Sequence, residues 1–413
     1  MPFFSPGTPE VDYSDNHHID AFGRLRVSEP VNLWTSTFQH NLHPLFFNET
    51  TANNGSVTHL PNESAAALAV ATDNGSKAIL QTFEYFQYQP GKSHTIAMTF
   101  VADSQQANTD VRIGYFDDDN GIFLELTGAS TINLVRRTKT SGSVVNNKVA
   151  QASWNIDPFD GTGPSGVTID LTLGQILWID LQWLSLGRIR VGFDIDGVLF
   201  YAHQFLVANV LTVPSLTTGN LPVRWEIVNT GVASATKTLT AICSTVFSEG
   251  GASFELGHAF AGGNGATFRT GIGTTAIPIF SLRPATTFNS ITNRIKVRLS
   301  NLDIFADDSM LWQIIYKPTS ITDATFAVGP VAHSSVEVDI AGTAIVGGII
   351  AASGYIAASN KGGLASAVDL GSKYPFFLDA AGTGQGNSFS VTVQTLGGTN
   401  KQAAGTANWT EIR

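Results

Sequence analysis

The sequence predicts an all-β protein: an extended N-terminal arm over residues 1–60, a β-sandwich over 61–251 and a second β-sandwich over 252–413. Three observations lead there. Short runs alternate apolar and polar residues, turn dipeptides punctuate them, and no segment sustains a helical period over a useful length.

The arm carries Pro2, Pro6, Pro9, Pro30 and Pro44, each of which disfavours helix before it and removes a ladder donor. Its Phe3, Phe4, Phe22, Trp34, Phe38, Phe46 and Phe47 are too many aromatics for a solvated linker. They favour a strap that orders against a neighbouring subunit. Glu63–Ala71 reads either as a short helix capped by Asn62 or as a strand ended by the Asp73-Asn74-Gly75 turn.

From Lys77 the reading is β throughout. Ala78–Tyr88, Thr95–Ala102, Val111–Phe116 and Ile122–Thr127 are strands, the last two joined through Asp117–Gly121 with its terminal Asn-Gly. The clearest hairpin is Arg188–Ile195 with Val198–His203, where Asp196-Gly197 supplies a two-residue type I′ turn. Ile189, Val191, Phe193 and Ile195 form its core face; Arg188, Arg190, Gly192 and Asp194 form the other, and a one-residue slip would bury the arginines. A boundary falls at Ser248–Gly251. Beyond it the strands are Ala276–Leu282, Arg294–Leu299, Leu311–Tyr316, Ser335–Ile340, Phe376–Ala380 and Phe389–Thr395. The uncharged stretch Ala341–Asn360 contains four glycines and no flanking basic cluster, so it reads as small-residue strands and not as a membrane span.

Composition narrows the partners. Lys and Arg number 23 against 33 Asp and Glu, a net charge of −10, and 14% of residues are charged where about 25% is usual. No basic excess is available to displace counterions from nucleic-acid phosphates. Few charges and many small residues suit contacts with copies of the chain or with partners, because interface cores are depleted of charge. Cys243 stands alone, which rules out an intrachain disulfide. The first twenty residues lack a basic segment followed by an apolar one, so no secretory signal is expected there.

Three passages resemble a protein family recurrent in tailed-phage genomes, whose members are known as uncharacterised virion proteins. They are Ile19–Pro30 (IDAFGRLRVSEP), Gly114–Phe123 running on to Val135-Arg136-Arg137, and Trp154–Asp157 with Asp160–Gly166, Gln182–Leu184, Gly187–Gly192 and Ile195–Gly197, closing at Ile242–Val246 and Ser248–Gly251. The resemblance covers about residues 15–251. It implies a virion component whose middle domain is a concanavalin-like, jelly-roll sandwich, and it carries over no catalytic or ligand residue.

Candidate site residues are few. Asp117 and Asp119 are the weak metal candidates, since clustered carboxylates suit hard cations, but the spacing fails the EF-hand pattern: Gly128 stands at the twelfth position from Asp117. Asp157 and Asp160 lie among glycines in a loop, and Trp154 or Trp183 could stack on a sugar ring. His40 and His43 have ligand-like spacing with no carboxylate or Cys to complete a set. Glu84, Glu125 and Glu226 each stand alone on an alternating strand, so the paired carboxylates of a glycoside hydrolase are missing. Arg24 with Arg26, Arg136 with Arg137, and Arg188 with Arg190 read as anchors to acidic neighbours or as fork-like donors to carboxylates across an interface.

The sequence therefore points to a non-enzymatic structural component of a bacteriophage virion, a capsid decoration or head fibre or a tail or baseplate fibre. It would bind other virion proteins and copies of itself, as a closed trimer, with no cofactor, no nucleic acid and no membrane insertion. The alternative is a carbohydrate-binding receptor-recognition protein of the tail. It would bind a host surface glycan through the Asp117–Gly121 and Asp157–Gly166 loops and a Trp platform.

Overall fold

A computed structural model describes residues 19, 30–249, 257–328, 333–356, 368–369, 375–376 and 388–412. The chain divides into two compact units, 1–82 with 86–253, and 83–85 with 254–413. Both are built of antiparallel strands, and a 3₁₀ turn at Gln151–Ser153 is the sole helical element among the described residues.

The first unit is a sandwich. One sheet has eight strands in the order β13 (Val198–Phe205), β12 (Ile189–Ile195), β11 (Gln175–Leu181), β6 (His94–Ala102), β15 (Lys237–Ser248), β4 (Ala65–Val70) and β3 (Ser56–Leu60), with β1 (Val31–Thr37) also paired to β15. The other has seven, ordered β10 (Val145–Ala150), β9 (Thr131–Thr138), β8 (Gly121–Thr127), β7 (Thr109–Phe116), β14 (Val223–Asn229), β5 (Lys77–Thr82) and β2 (Phe47–Ala52). Alternate residues of both sheets meet in one core: Ile96, Leu177 and Phe193 from the first face Ile113, Leu124 and Trp225 from the second. This is the concanavalin-like, jelly-roll sandwich expected of this stretch.

The second unit repeats the layering with different strands. A six-stranded sheet runs β16 (His258–Gly263), β31 (Lys401–Ile412), β21 (Lys296–Ala306) and β28 (Val368–Asp369), with β17 (Arg269–Ile272) on β31 and β29 (Pro375–Phe376) on β21. The other six strands are β24 (Ala327–Val328), β25 (Val336–Asp339), β18 (Ile277–Pro284), β30 (Phe389–Thr395), β22 (Met310–Tyr316) and β27 (Ile349–Ile356). Leu299, Ile304 and Trp409 meet Phe280, Ile314 and Val391 between them. Two ribbons complete it, β19 (Thr287–Phe288) with β20 (Ile291–Thr292) and β23 (Ser320–Thr322) with β26 (Ala344–Val346).

Several expectations change. The strap drawn as 1–60 is divided: Val31–Leu60 supplies β1, β2 and β3, because Trp34, Phe38 and Phe47 fill the first core. Residues 1–18 and 20–29 lie outside the described residues, Arg24 and Arg26 among them. The helix-or-strand choice at Glu63–Ala71 resolves to strand β4, since Ala66, Leu68 and Val70 are buried at period two between β15 and β3. The strand drawn as Ala78–Tyr88 ends at Thr82. Ala341–Asn360 holds β26 and β27, and no helix among the described residues is long and apolar enough to cross a membrane. Of Phe376–Ala380, residues 377–380 lie outside the described residues.

The hairpin at Asp196-Gly197 forms as read: Ile195 pairs with Val198, and φ is 55° at Asp196 and 82° at Gly197. At Asp117–Gly121 the hairpin forms by another turn. Phe116 pairs with Gly121, so the loop is Asp117–Asn120 and the glycine opens β8 at φ 140°.

Candidate functional site

The densest polar constellation lies on the outward face of the seven-stranded sheet. Val111, Ile113 and Tyr115 of β7 point into the core, so period two turns Asp110 and Arg112 outward. Register then sets Glu125 of β8 opposite Arg112 on one side and Glu226 of β14 opposite it on the other. Arg112 ion-pairs with Glu226 through Nη1 at 2.5 Å, with Asp110 through Nη2 at 2.7 Å and with Glu125 through Nε at 3.1 Å. Arg224, one residue pair along β14, reaches Glu226 at 2.5 Å and Asp118 at 2.7 Å. Lys148 of β10 closes on the second oxygen of Glu125 at 2.5 Å, and Thr127 donates to Asp110. Beside this network Phe116, Phe123 and Val135 form a small buried cluster, and the Arg137 guanidinium lies 4.9 Å from the Phe123 ring centre.

The face is outward but not wet. Glu125 has no exposed surface and Glu226 only 5%. Burial alone would raise both carboxyls. Arg224 and Arg112 outweigh it at Glu226, Lys148 and Arg112 outweigh it at Glu125, and both are held below the ordinary carboxylate range. The two glutamates therefore do not stand alone, as the sequence suggested; they flank one guanidinium. A general acid for glycoside hydrolysis needs a carboxyl that stays protonated near neutrality, and this environment does the reverse. What the array offers is a fixed set of charged donors and acceptors. Sequence reading missed it because β14 is far from β7 and β8 along the chain. The one available signal was Arg112 itself, a lone cation on a strand whose core-side neighbours are all apolar. Glu84, grouped with the second unit, pairs with Lys296 at 2.9 Å.

A second buried charge pair sits on the outward face of the eight-stranded sheet. Arg190 and Asp180 meet at 2.5 Å, both side chains fully buried, with the Tyr201 hydroxyl donating to Asp180 at 3.2 Å and its ring 4.2 Å beneath the guanidinium. The carbonyl of Ile19 accepts from Arg190 Nη2 at 2.7 Å. Arg190 is thus a donor to a carboxylate within the chain and not across an interface. Arg136 donates to the Ser215 carbonyl, Arg137 to the Asp117 carbonyl and to Asn146, and Arg188 to the Gln204 amide oxygen.

The candidate residues of the loops are engaged locally. Asp117 Oδ1 accepts from the backbone N–H of Asp119 and Asn120, Asp118 pairs with Arg224, and Asp119 with Lys139 at 2.9 Å. Asp157 ties its loop by accepting from the N–H of Phe159 and Ser165, and Asp160 accepts from Thr162. Trp154 is a core residue, 6% exposed, its Nε1 donating to the Val149 carbonyl. Trp183 packs edge-on against Tyr88, 5.6 Å between centres, at the margin of the same core. Trp154 is not presented as a platform, because the first sandwich spends it on its interior, while Trp183 is half-buried. His43 packs between Phe38 and Phe46. Among the described residues no group of three or more His, Cys, Asp or Glu could hold a metal ion.

No family model and no curated protein matches the chain. Solved structures do. The catalytic domain of an endo-1,3-beta-glucanase (laminarinase) from Thermotoga petrophila is 12% identical over 55% of this chain and 100% of its own, with a TM-score of 0.38. A glycoside hydrolase family protein from Mycobacterium thermorestibile is 12% identical over 52% of this chain and 100% of its own, TM-score 0.37. The Emp47p carbohydrate recognition domain is 12% identical over 53% and 96%, TM-score 0.34. These likenesses concern the fold and give this chain no reaction. The expectation that the chain is not an enzyme finds no support among them, since several of these structures are named as glycoside hydrolases.

Proposed function

We propose that this chain is a structural component of a bacteriophage virion, displaying two β-sandwiches and joined to other virion proteins and to copies of itself in a closed trimer. The observation that carries this reading is that described residues in and beside the first passage meet residues of the third. Ile19, the first residue of the IDAFGRLRVSEP passage, is held by Arg190 of the Gly187–Gly192 passage. The Ile242–Val246 passage lies on β15, where Cys243 pairs with Thr37 and Val246 with Trp34 of β1, directly after the first passage. Residues far apart in the chain thus build one sheet, which supports a resemblance between whole folded units. The low charge of the chain supports packing against copies, because charge is what interface cores lack.

The test is to purify particles from the host that carries this gene, with a compact label on the C-terminus of the chain, and image them. Label at the head lattice or vertices supports a decoration or head fibre, and label at the distal tail a tail or baseplate fibre. Particles that carry no label and no peptide of the chain overturn the reading. Sedimentation of the purified chain tests the trimer, and a monomer at micromolar concentration overturns that part.

A further inference from the structure

The second sandwich carries a trough of about 430 Å3 on the outward face of the sheet that holds β21 and β31, lined by Gly265, Asp303, Phe305, Ala404, Gly405 and Thr406 among others. Leu302, Ile304 and Ala306 of β21 point into the core, which turns Asn301, Asp303 and Phe305 outward. Across the ladder to β31 these stand opposite Asn408, Thr406 and Ala404. The result is a polar row beside an aromatic one. Asn408 donates to Asn301, Asp303 lies beside Thr406, and the floor next to Phe305 is made of small residues.

Phe305 is 41% exposed and Phe268 40%, and the two rings meet edge to face at 5.7 Å and 80°. Phe268 thereby fixes the plane of Phe305 while leaving much of that ring in water. The floor is fixed as well: buried Asn264 accepts from the Gly405 N–H at 2.6 Å and donates its own N–H to the Gly405 carbonyl at 3.1 Å. A held aromatic ring beside a carboxylate and a hydroxyl is the chemistry that a sugar ring satisfies, with an apolar C–H face to stack and hydroxyls to donate. Among the described residues one carboxylate and no cation line the trough, so its charge opposes an acidic saccharide.

We propose that this trough binds a neutral saccharide, its C–H face on Phe305 and its hydroxyls on Asp303 and Thr406. The site stands whether or not the chain belongs to a virion.

The full chain would be presented to an array of neutral oligosaccharides (glucans, galactans, mannans and N-acetylhexosamine oligomers) together with acidic ones. The strongest ligand would then be titrated calorimetrically into wild type and variants. Loss of the stacking face in Phe305→Ala, or of the charged acceptor in Asp303→Asn, weakens binding about tenfold or more. Phe305→Trp keeps a stacking face and retains binding, which separates a lost contact from a lost fold. Tyr355→Ala, at a side chain 70% exposed on β27, leaves affinity unchanged. Absence of binding to every neutral oligosaccharide, preference for the acidic ones, or affinity unmoved by Phe305→Ala overturns the proposal.

Discussion

Replacing Arg112 by Met tests whether the charge network on the seven-stranded sheet stabilises the fold. The substitution keeps the unbranched stem of the side chain and removes the guanidinium with its ion pairs to Asp110, Glu125 and Glu226. Each carboxylate retains another partner: Thr127 for Asp110, Lys148 and Asn133 for Glu125, and Arg224 for Glu226. The cost therefore falls at the low end of what stripping a partner from a buried charge costs, about 3 kcal/mol at pH 7. Its pH dependence is the sharper signature. In the wild type Glu125 and Glu226 are depressed below their unfolded values, so their contribution is present above those values and lost as pH falls through the folded ones. In the variant burial acts with less opposition and both carboxyls rise above their wild-type positions, so the folded variant takes up protons at a higher pH than the folded wild type. The deficit should then shrink between pH 7 and about 4.5, just above the unfolded carboxylate range. Hydrogen exchange read on peptides from β7, β8 and β14 measures the opening free energy of this sheet alone. A deficit under about 1 kcal/mol, or one that stays level or grows on acidification, would refute the reasoning.

Other perturbations probe the remaining buried groups. His94 is fully buried, neither ring nitrogen has a hydrogen-bond partner among the described residues, and burial, with Lys92 nearby, lowers its pKa to about 4. Its folded value lies below the unfolded 6.5, so its contribution is complete above pH 6.5 and lost as pH falls toward 4; by pH 5 the loss is about 2 kcal/mol. Melting curves at pH 7 and 5 should show a smaller acid shift for His94→Leu than for wild type. Asp180→Asn leaves the Arg190 charge buried and should cost about 3 kcal/mol or more, whereas Asp180→Leu with Arg190→Met should recover most of it; equal melting points for the single and double variants would count against a buried ion pair. Gly192→Ala would set a Cβ 2.1 Å from the Phe200 carbonyl oxygen, forcing β12 from β13, and should lower stability by about 3 kcal/mol in urea titration.

What sequence could reach was what local chemistry determines. The β12–β13 hairpin is legible because two residues with positive φ, Asp196 and Gly197, must join two adjacent alternating runs. β30 was bounded correctly at Phe389–Thr395 because the run alternates between turn residues. By contrast β31, KQAAGTANWTEI, is built mostly of small and polar residues, and its 12-residue length comes from its partners β21 and β16 on either side. β14 escaped notice in the same way: Trp225 and Ile227 find their core only after β7 and β5 flank them.

The candidate sites expose a deeper limit. Period two assigns a residue to one of two faces, and the sequence reading equated the face turned from the core with water. Both charge networks show that the equation fails. Arg190 shares its face with Gly192 and Asp194, yet it has no exposed surface because Asp180, Tyr201 and Ile19 close over it. Glu125 and Glu226 are outward and buried because the long side chains of Arg112, Arg224 and Lys148 lie across the strands between them. A strand pattern cannot reveal this, since the covering groups come from strands whose adjacency is a property of the whole sheet. The same reasoning separates the aromatics. Trp154 and Trp183 carry the strongest stacking chemistry, but a core that needs large apolar surface takes Trp154 whole and part of Trp183. The less conspicuous Phe305 stays available because its strand neighbours Leu302, Ile304 and Ala306 already fill the inner face. A ligand-facing aromatic is therefore found by asking which apolar residue the core has left over, and that question has an answer only once the sheets are assembled.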